Sequence, residues 1–330
     1  MTFMKTLLAG SALTVLSAAA ASADPALIFD LGGKFDKSFN EAAYMGAKRW
    51  ADETGGSYRE LEMQSEAQRE QALRRLAESG SNPIVMTGFA FGDVLTKIAP
   101  DYPETSFVII DMVVEAPNVQ SVVFTEEEGS YLAGIMSAMA SKSGKAGFIG
   151  GMDIPLIHKF ECGFAQGFKA AQPEGQVMVN YTGTTPAAWN DPVKGGEITK
   201  SQIDQGSDVI YAAAGGTGIG VLQAAADAGK LGIGVDSNQN GLQPGKVLTS
   251  MLKRVDVAVY NAFMDAKNDS YSYGFNVLGL AEGGVDYAMD ENNAPLVSDE
   301  MKAAVEAAKA DIIAGKISVH DYMSDNNCPY

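Results

Sequence analysis

From Asp24 onward the chain alternates short apolar runs with longer, one-sided amphipathic stretches. Strands joined by crossover helices in a parallel α/β sheet leave that rhythm in a sequence. The runs predict strands over residues 26–30, 83–87, 106–111, 121–124, 146–149, 176–181, 209–213, 231–235, 247–250 and 275–278. The stretches between them predict helices over 40–53, 66–79, 91–99, 129–141, 158–171, 192–205, 218–228, 255–265 and 300–314. No fixed-period repeat, low-complexity linker or long charge run breaks the rhythm, which argues against beads on a string. Two lobes sharing several crossings are expected. One takes residues 24–125 plus 247–273 and the other 126–246 plus 274–330, with crossings near 124–128, near 244–247 and near Tyr273.

The first residues read as a leader. Lys5 precedes an apolar or small run from Leu7 to Ala20, and Ala21-Ser22-Ala23 supplies a small-x-small cleavage pattern, so residues 1–23 are expected to be a signal peptide. The run is too short and too rich in alanine to span a membrane comfortably. About 307 residues would then remain, more than one hydrophobic core usually covers. The formal charge of −17 repels phosphate backbones, so nucleic acid is not an expected partner.

Only two cysteines occur, Cys162 and Cys328. In an oxidising compartment they could form a disulfide tying the C-terminal tail to the body, or stay unpaired. Two cysteines cannot by themselves make a structural zinc site, and the only histidines, His158 and His320, are not spaced with them in a finger-like pattern. Neither a metal nor a cofactor is expected.

In open parallel sheets ligands bind beyond the carboxyl ends of the strands. Candidate contacts are therefore Lys34, Phe35, Asp36, Ser38 and Asn40 after the first strand, then Phe89, Asp111, Trp189 with Asn190, Gly215 to Thr217, Asp236 and Lys253. The loop from Gly151 to Pro155, with Asp153 at its centre, is another strand end. Asp, Asn, Ser and Gly also serve as ordinary caps and turn residues. Large aromatics at strand ends, here Phe35, Phe89 and Trp189, are exposed at a cost unless something covers them. The run Gly215-Gly216-Thr217-Gly218-Ile219-Gly220 imitates a dinucleotide fingerprint, but Val221 or Gln223 stands where its third glycine belongs, and no Walker lysine follows.

Material for catalysis is poor. There is no Gly-x-Ser-x-Gly elbow and no carboxylate–histidine cluster with ligand-like spacing. Paired carboxylates abound in so acidic a chain, so Asp111 with Asp236 says little about acid–base work. His158 and Lys159 read as part of a solvated helix face.

Five segments carry a family resemblance: residues 30–40 (DLGGKFDKSFN), 147–155 (GFIGGMDIP), 214–218 (AGGTG), 233–236 (IGVD) and 249–253 (TSMLK). In this order, across nearly the whole mature chain, they resemble the basic membrane protein family of solute-binding proteins, whose characterised members bind purine nucleosides. The resemblance implies a type I periplasmic binding fold: two doubly wound parallel-sheet lobes, three hinge crossings, and closure around a ligand. It implies a trap, not an enzyme, that delivers adenosine, guanosine, inosine or a similar nucleoside to the permease subunits of an ABC importer; a monomer is expected, because closing needs both lobes free. Asp236, Gly216 and Lys253 match the ribose-holding positions, Trp189 the stacking aromatic of the second lobe, and Phe35 or Phe89 the opposite face of the base. Many members are lipoproteins; with no cysteine at the cleavage point, this chain is expected to be periplasmic and not lipid-modified. A sugar or another small polar solute, or a ligand-dependent surface signalling role, are the alternatives on the same fold.

Overall fold

The computed structural model describes residues 24–330, so the leader reading lies outside the described residues. The first lobe begins with five parallel strands, β1 (Ala26–Phe29), β2 (Arg59–Glu62), β3 (Ile84–Thr87), β4 (Phe107–Ile110) and β5 (Val119–Phe124). The second lobe repeats the series with β6 (Lys145–Met152), β7 (Gln176–Gly183), β8 (Val209–Ala213), β9 (Leu231–Asp236) and β10 (Val247–Lys253). The chain then adds β11 (Gly274–Leu278) to the first sheet and β12 (Val285–Tyr287) to the second. The strand orders are β11-β5-β4-β3-β1-β2 and β12-β10-β9-β8-β6-β7. All neighbours are parallel except β12 against β10.

Nine helices of the described residues cover the sheets: α1 (Phe39–Thr54), α2 (Arg69–Glu78), α3 (Gly92–Ile98), α4 (Glu126–Ala140), α5 (Pro155–Ala171), α6 (Pro192–Asp204), α7 (Thr217–Asp227), α8 (Val255–Asn268) and α9 (Asp299–Ile313). Among the described residues no helix is long and apolar enough to cross a membrane. Strands covered on both faces need continuous apolar runs, and β1, β3, β4 and β8 are buried along their whole length. The missed strands are edges. β2 reads Arg-Glu-Leu-Glu and is mostly exposed, and β12 has three residues, so neither leaves an apolar run to detect.

The sheet pairing corrects two expected lobe boundaries. Residues 247–253 were expected in the first lobe, but β10 pairs with β9 in the second, Gly234 opposite Ser250 and Asp236 opposite Leu252. Residues 274–278 were expected in the second lobe, but β11 pairs with β5 in the first. The chain therefore crosses at Thr125, at Arg254 and between Leu278 and Val285. The choice of partner strand is a non-local event that hydrophobic period does not encode. The three crossings are bonded to one another. Thr125 N–H donates to Leu278 O (3.2 Å), Leu280 N–H to the Glu128 carboxylate (2.9 Å), and Arg254 N–H to Gly284 O (2.8 Å).

Behind the crossings α4 and α5 lie unusually close. A β-carbon on Gly134 would meet Phe164 O at 2.2 Å, on Gly163 Glu127 O at 2.2 Å, and on Gly167 Tyr131 O at 2.0 Å. Glycine is what permits the two backbones to touch. On the sheet side of this pair Phe148, Phe164, Phe168 and Tyr211 are fully buried, each contributing about 1.5–3 kcal/mol of apolar burial.

The C-terminal tail is fastened to α5. Cys162 and Cys328 are joined as a disulfide with their Cα atoms 5.4 Å apart. Gln166 exchanges two hydrogen bonds with the His320 backbone (3.1 and 2.9 Å), and Tyr322 stacks on His158. Closing so long a loop stabilises a fold by about 2–4 kcal/mol, largely through the unfolded chain. Cys328→Ser is expected to lower the melting temperature by about 5 °C and to expose residues 320–330 to limited proteolysis first. Calorimetric scanning and mass mapping check both, and an unchanged melting temperature would show the bond to be idle.

Candidate functional site

The carboxyl ends of both strand series face one another across a cleft with about 630 Å³ of atom-free space, including its open mouth. Eight expected contacts line it: Asp36, Asn40, Phe89, Asp111, Trp189, Gly215, Asp236 and Lys253.

Asp111 and Asp236 occupy equivalent places, immediately after β4 and at the end of β9, the fourth strand of each series. Both adopt the left-handed backbone, φ 72° and 63°, which Asp tolerates better than most residues but which still carries strain. That conformation turns each chain out of its strand at the cleft wall. Lys253, at the end of β10, donates to Asp111 Oδ2 (2.7 Å) from the other lobe. Asp111 Oδ1 is buried and has no hydrogen-bond partner among the described residues. Asp236 Oδ2 accepts from the Ser38 hydroxyl of the first lobe.

Burial pushes Asp111 and Asp236 each up to about 6, with the nearby Lys253 charge opposing the shift in both. Burial likewise works against the Lys253 ammonium, yet Asp111, Glu126 and Asp236 hold its pKa above the ordinary lysine value. The ammonium also sits 5.1–5.6 Å from the ring centres of Phe39, Phe124 and Phe160, a favourable placement for a cation.

Trp189 is held from three sides. Thr182 Oγ1 and Thr217 Oγ1 both donate to Ala188 O (3.0 and 2.8 Å), fixing the loop that carries the indole. Gly151, in β6, lies flat against the ring, where an added β-carbon would meet it at 2.1 Å. One face of Trp189 is thereby backed by main chain.

Other expected contacts are built differently. Asp36 accepts from the backbone N–H groups of Ser38 (2.8 Å), Asn40 (3.0 Å) and Glu41 (3.1 Å), capping α1, while burial still pushes its carboxyl up to about 6. The Asn40 amide donates to Asp30 O and Gly33 O and accepts from the Thr87 hydroxyl. Both residues shape the wall more than they offer free polar groups.

Phe35, Ser38, Gly216, Lys34, Asn190 and Thr217, also expected, do not line the cleft. Phe35 is 60% exposed and meets Tyr44 edge-on (5.5 Å), because its neighbour Asp36 turns inward to cap the helix. Ser38 is spent on Asp236. Gly216 stands behind the wall, which Ala213, Ala214 and Gly215 form. Lys34 points to Glu60 and Tyr44, Asn190 is not on the wall, and Asp153 turns away to His158 (2.9 Å).

Sequence reading missed the first turn of α5. Leu156, Ile157 and Phe160 line the cleft with Phe39, Leu31, Val235, Gly88 and Asp30, the last paired with Arg69 (2.7 Å). Beginning this helix at Pro155 instead of 158 would have placed the apolar set 156, 157 and 160 beside the strand-end loop. Lys159, expected on a solvated face, is buried and bonded to Glu126 (2.7 Å), since the α4–α5 contact leaves it no route to water.

Residues 25–322 match the family described as ABC transporter substrate-binding protein, PnrA-like. The chain is 33% identical over 317 residues to the ABC transporter nucleoside-binding protein BmpA of Lactococcus lactis, covering 89% of this chain and 88% of that one. It superposes on a crystal structure of an ABC transporter solute-binding protein from Aeropyrum pernix with a TM-score of 0.83 at 30% identity, covering 91% and 93% of the two chains. Three Pyrococcus relatives, each 34% identical over 278 residues and covering 79% of this chain and 68–69% of theirs, are described as lipoproteins. That finding overturns the expectation of a periplasmic protein without lipid, and the expectation is withdrawn. The fold is the type I binding-protein fold of these neighbours, and the role is that of a non-catalytic binding component with a small-molecule cargo and permease partners. The chain belongs to the PnrA-like family of ABC transporter substrate-binding proteins.

Proposed function

We propose that this protein captures a purine nucleoside between its lobes, as a monomer, and hands it to the permease. The observation that carries the reading is the composition of the cleft. Trp189, Phe39, Phe89 and Phe160 line the same cleft as four carboxylates, Asp30, Asp36, Asp111 and Asp236, and the Lys253 ammonium. A flat base suits the aromatics, where stacking is worth ~1–3 kcal/mol. A ribose diol suits Asp111 and Asp236, because hydrogen bonds to charged acceptors are the stronger ones. Asp111 Oδ1, buried and unpartnered, is an acceptor awaiting a donor, and leaving such a group bare is costly. The Lactococcus relative is named for nucleoside binding, which supports the same ligand class.

The charge balance supports a nucleoside over a nucleotide. Asp36, Asp111 and Asp236 face the cleft, Asp30 is neutralised by Arg69, and Lys253 is already shared between Asp111 and Glu126. A phosphate entering here finds no free cation among the described residues, and like charges in a closed site cost several kcal/mol.

After unfolding and refolding to remove carried cargo, calorimetric titration with adenosine, guanosine and inosine is expected to give saturable one-to-one binding. Asp236→Ala should weaken it about 10- to 100-fold through loss of a charge-assisted bond, and Trp189→Ala about 5- to 100-fold through lost stacking. Heat from ribose with none from any nucleoside would overturn the ligand while keeping the transport role.

Inosine monophosphate is expected to bind at least about 100-fold more weakly than inosine. Equal affinities in the same titration would refute the charge argument.

Acid should also weaken capture. Asp236 is the stronger, charge-assisted acceptor for a ribose hydroxyl when ionised, and its pKa is raised to about 6. Protonation begins as pH falls toward that value, so affinity should be level from pH 8 to 7 and about tenfold lower at pH 5. A level profile down to pH 5, measured by the same titration, would exclude Asp236 as an ionised acceptor. For stability the sign is opposite: a raised carboxyl pKa means the folded protein holds more protons than the unfolded one, so this group favours the fold below pH 6.

A further inference from the structure

Beyond the cleft wall, the charge on Lys253 continues inward. Its ammonium lies 2.9 Å from Glu126 Oε1, and Glu126 Oε2 lies 2.7 Å from Lys159 Nζ, which is also 3.3 Å from Glu127. Lys159 donates as well to Phe124 O, the last residue of β5. Five elements meet in this chain of charges: the end of β4 with Asp111, the end of β5, the first turn of α4 with Glu126 and Glu127, the first turns of α5 with Lys159, and the end of β10 with Lys253. Glu126 is completely buried and Lys253 nearly so. Two of the three crossings supply the central pair, since Glu126 follows Thr125 and Lys253 precedes Arg254.

The arrangement is directional. Lys253 has two carboxylates to choose between, Asp111 toward the ligand and Glu126 away from it. Glu126 is itself pulled from the far side by Lys159. With Glu126 anchored, Lys253 is held between the two and its ammonium stays at the wall. With Glu126 uncharged, nothing opposes the pull of Asp111, and the aromatic cage of Phe39, Phe124 and Phe160 no longer surrounds a fixed point. Buried charges without good partners relocate or recruit new ones.

We propose that Glu126 and Lys159 are positioning residues for ligand capture, their ion pairs fixing the Lys253 ammonium where it serves the ligand at Asp111. The inference rests on the reading of Lys253 as a ribose contact. Neither Glu126 nor Lys159 touches the cleft, so any effect on affinity runs through Lys253.

The test is a cycle of Glu126→Gln, Lys253→Met and the double variant, titrated with inosine, with Glu126→Asp as the conservative rescue. Glu126→Gln is expected to weaken inosine about tenfold, the scale of one charge-assisted bond. It should cost nothing further in the Lys253→Met background, and Glu126→Asp should recover part of the loss. An equal further loss in the Lys253→Met background would mean a general structural role and overturn the proposal. Lys159→Met approaches the same chain from its far end. If Glu126→Gln does not fold, an unaltered inosine affinity in Lys159→Met overturns the proposal in its place. If the wild-type protein takes up none of adenosine, guanosine and inosine, the nucleoside reading fails separately. The positioning role is then decided by ligand-free crystal structures of Glu126→Gln or, should that not fold, Lys159→Met. A shift of Lys253 Nζ from its wild-type place relative to Asp111 and the three rings supports the role; an unmoved ammonium rejects it.

Discussion

The Lys253 ammonium is buried where the two lobes meet, and keeping that charge out of water constrains everything around it. Withdrawing such an ion from solvent costs several kcal/mol even after the protein relaxes. The cost is offset by Asp111 of the first lobe, Glu126 of the first crossing, and rings from α1, β5 and α5. These partners converge only when lobes, crossings and the α4–α5 pair hold one arrangement. The close approach at Gly134, Gly163 and Gly167 brings Lys159 within reach of Glu126. A packing feature outside the cleft wall thus bears on where the Lys253 ammonium stands.

The repeated strand series explains why that lysine faces two aspartates. Asp111 and Asp236 hold matching positions and share the same left-handed turn. Register makes the next pair equivalent too: Ile110 pairs with Val122 and Asp236 with Leu252, so Phe124 and Lys253 close the fifth strands alike. One lobe ends that strand with a ring and the other with a cation. The fold supplies the symmetry, and this single difference sets the Lys253 ammonium against the Phe124 ring where the two series meet.

Much of this was legible because strand ends are legible. A run such as Phe-Val-Ile-Ile before Asp111, or Leu-Gly-Ile-Gly-Val before Asp236, marks a buried parallel strand, and whatever follows it must face the cleft. Trp189 was found by the cost of leaving an indole uncovered. What failed were residues whose place depends on partners distant in sequence. Lys159 looks solvated beside His158, and only the α4–α5 contact turns it inward. β10 and β11 were read as strands, but which sheet each joins is decided across more than a hundred residues for β11. Phe35 failed for a local reason: once Asp36 caps α1, its neighbour is turned outward.

Closure has its own contacts, separate from the ligand's. The Ser237 hydroxyl donates to Ser38 O (2.8 Å), the Gln239 amide donates to Lys37 O (2.9 Å), and Ser38 donates to Asp236. These bonds join the β1–α1 loop of one lobe to the β9 end of the other, and they form whichever solute lies within. A ligand shifts an equilibrium only by its differential affinity for the two arrangements. Lobe-to-lobe bonds therefore set how much help any ligand receives, while discrimination falls to groups that the latch leaves free. Of the four cleft aspartates, Asp30 is paired with Arg69, Asp36 is saturated by backbone amides and Asp236 gives one oxygen to Ser38, while Asp111 Oδ1 is a buried acceptor without a partner among the described residues. Because Lys253 holds the other Asp111 oxygen, the selectivity of the cleft and the placement of the buried lysine are one physical problem.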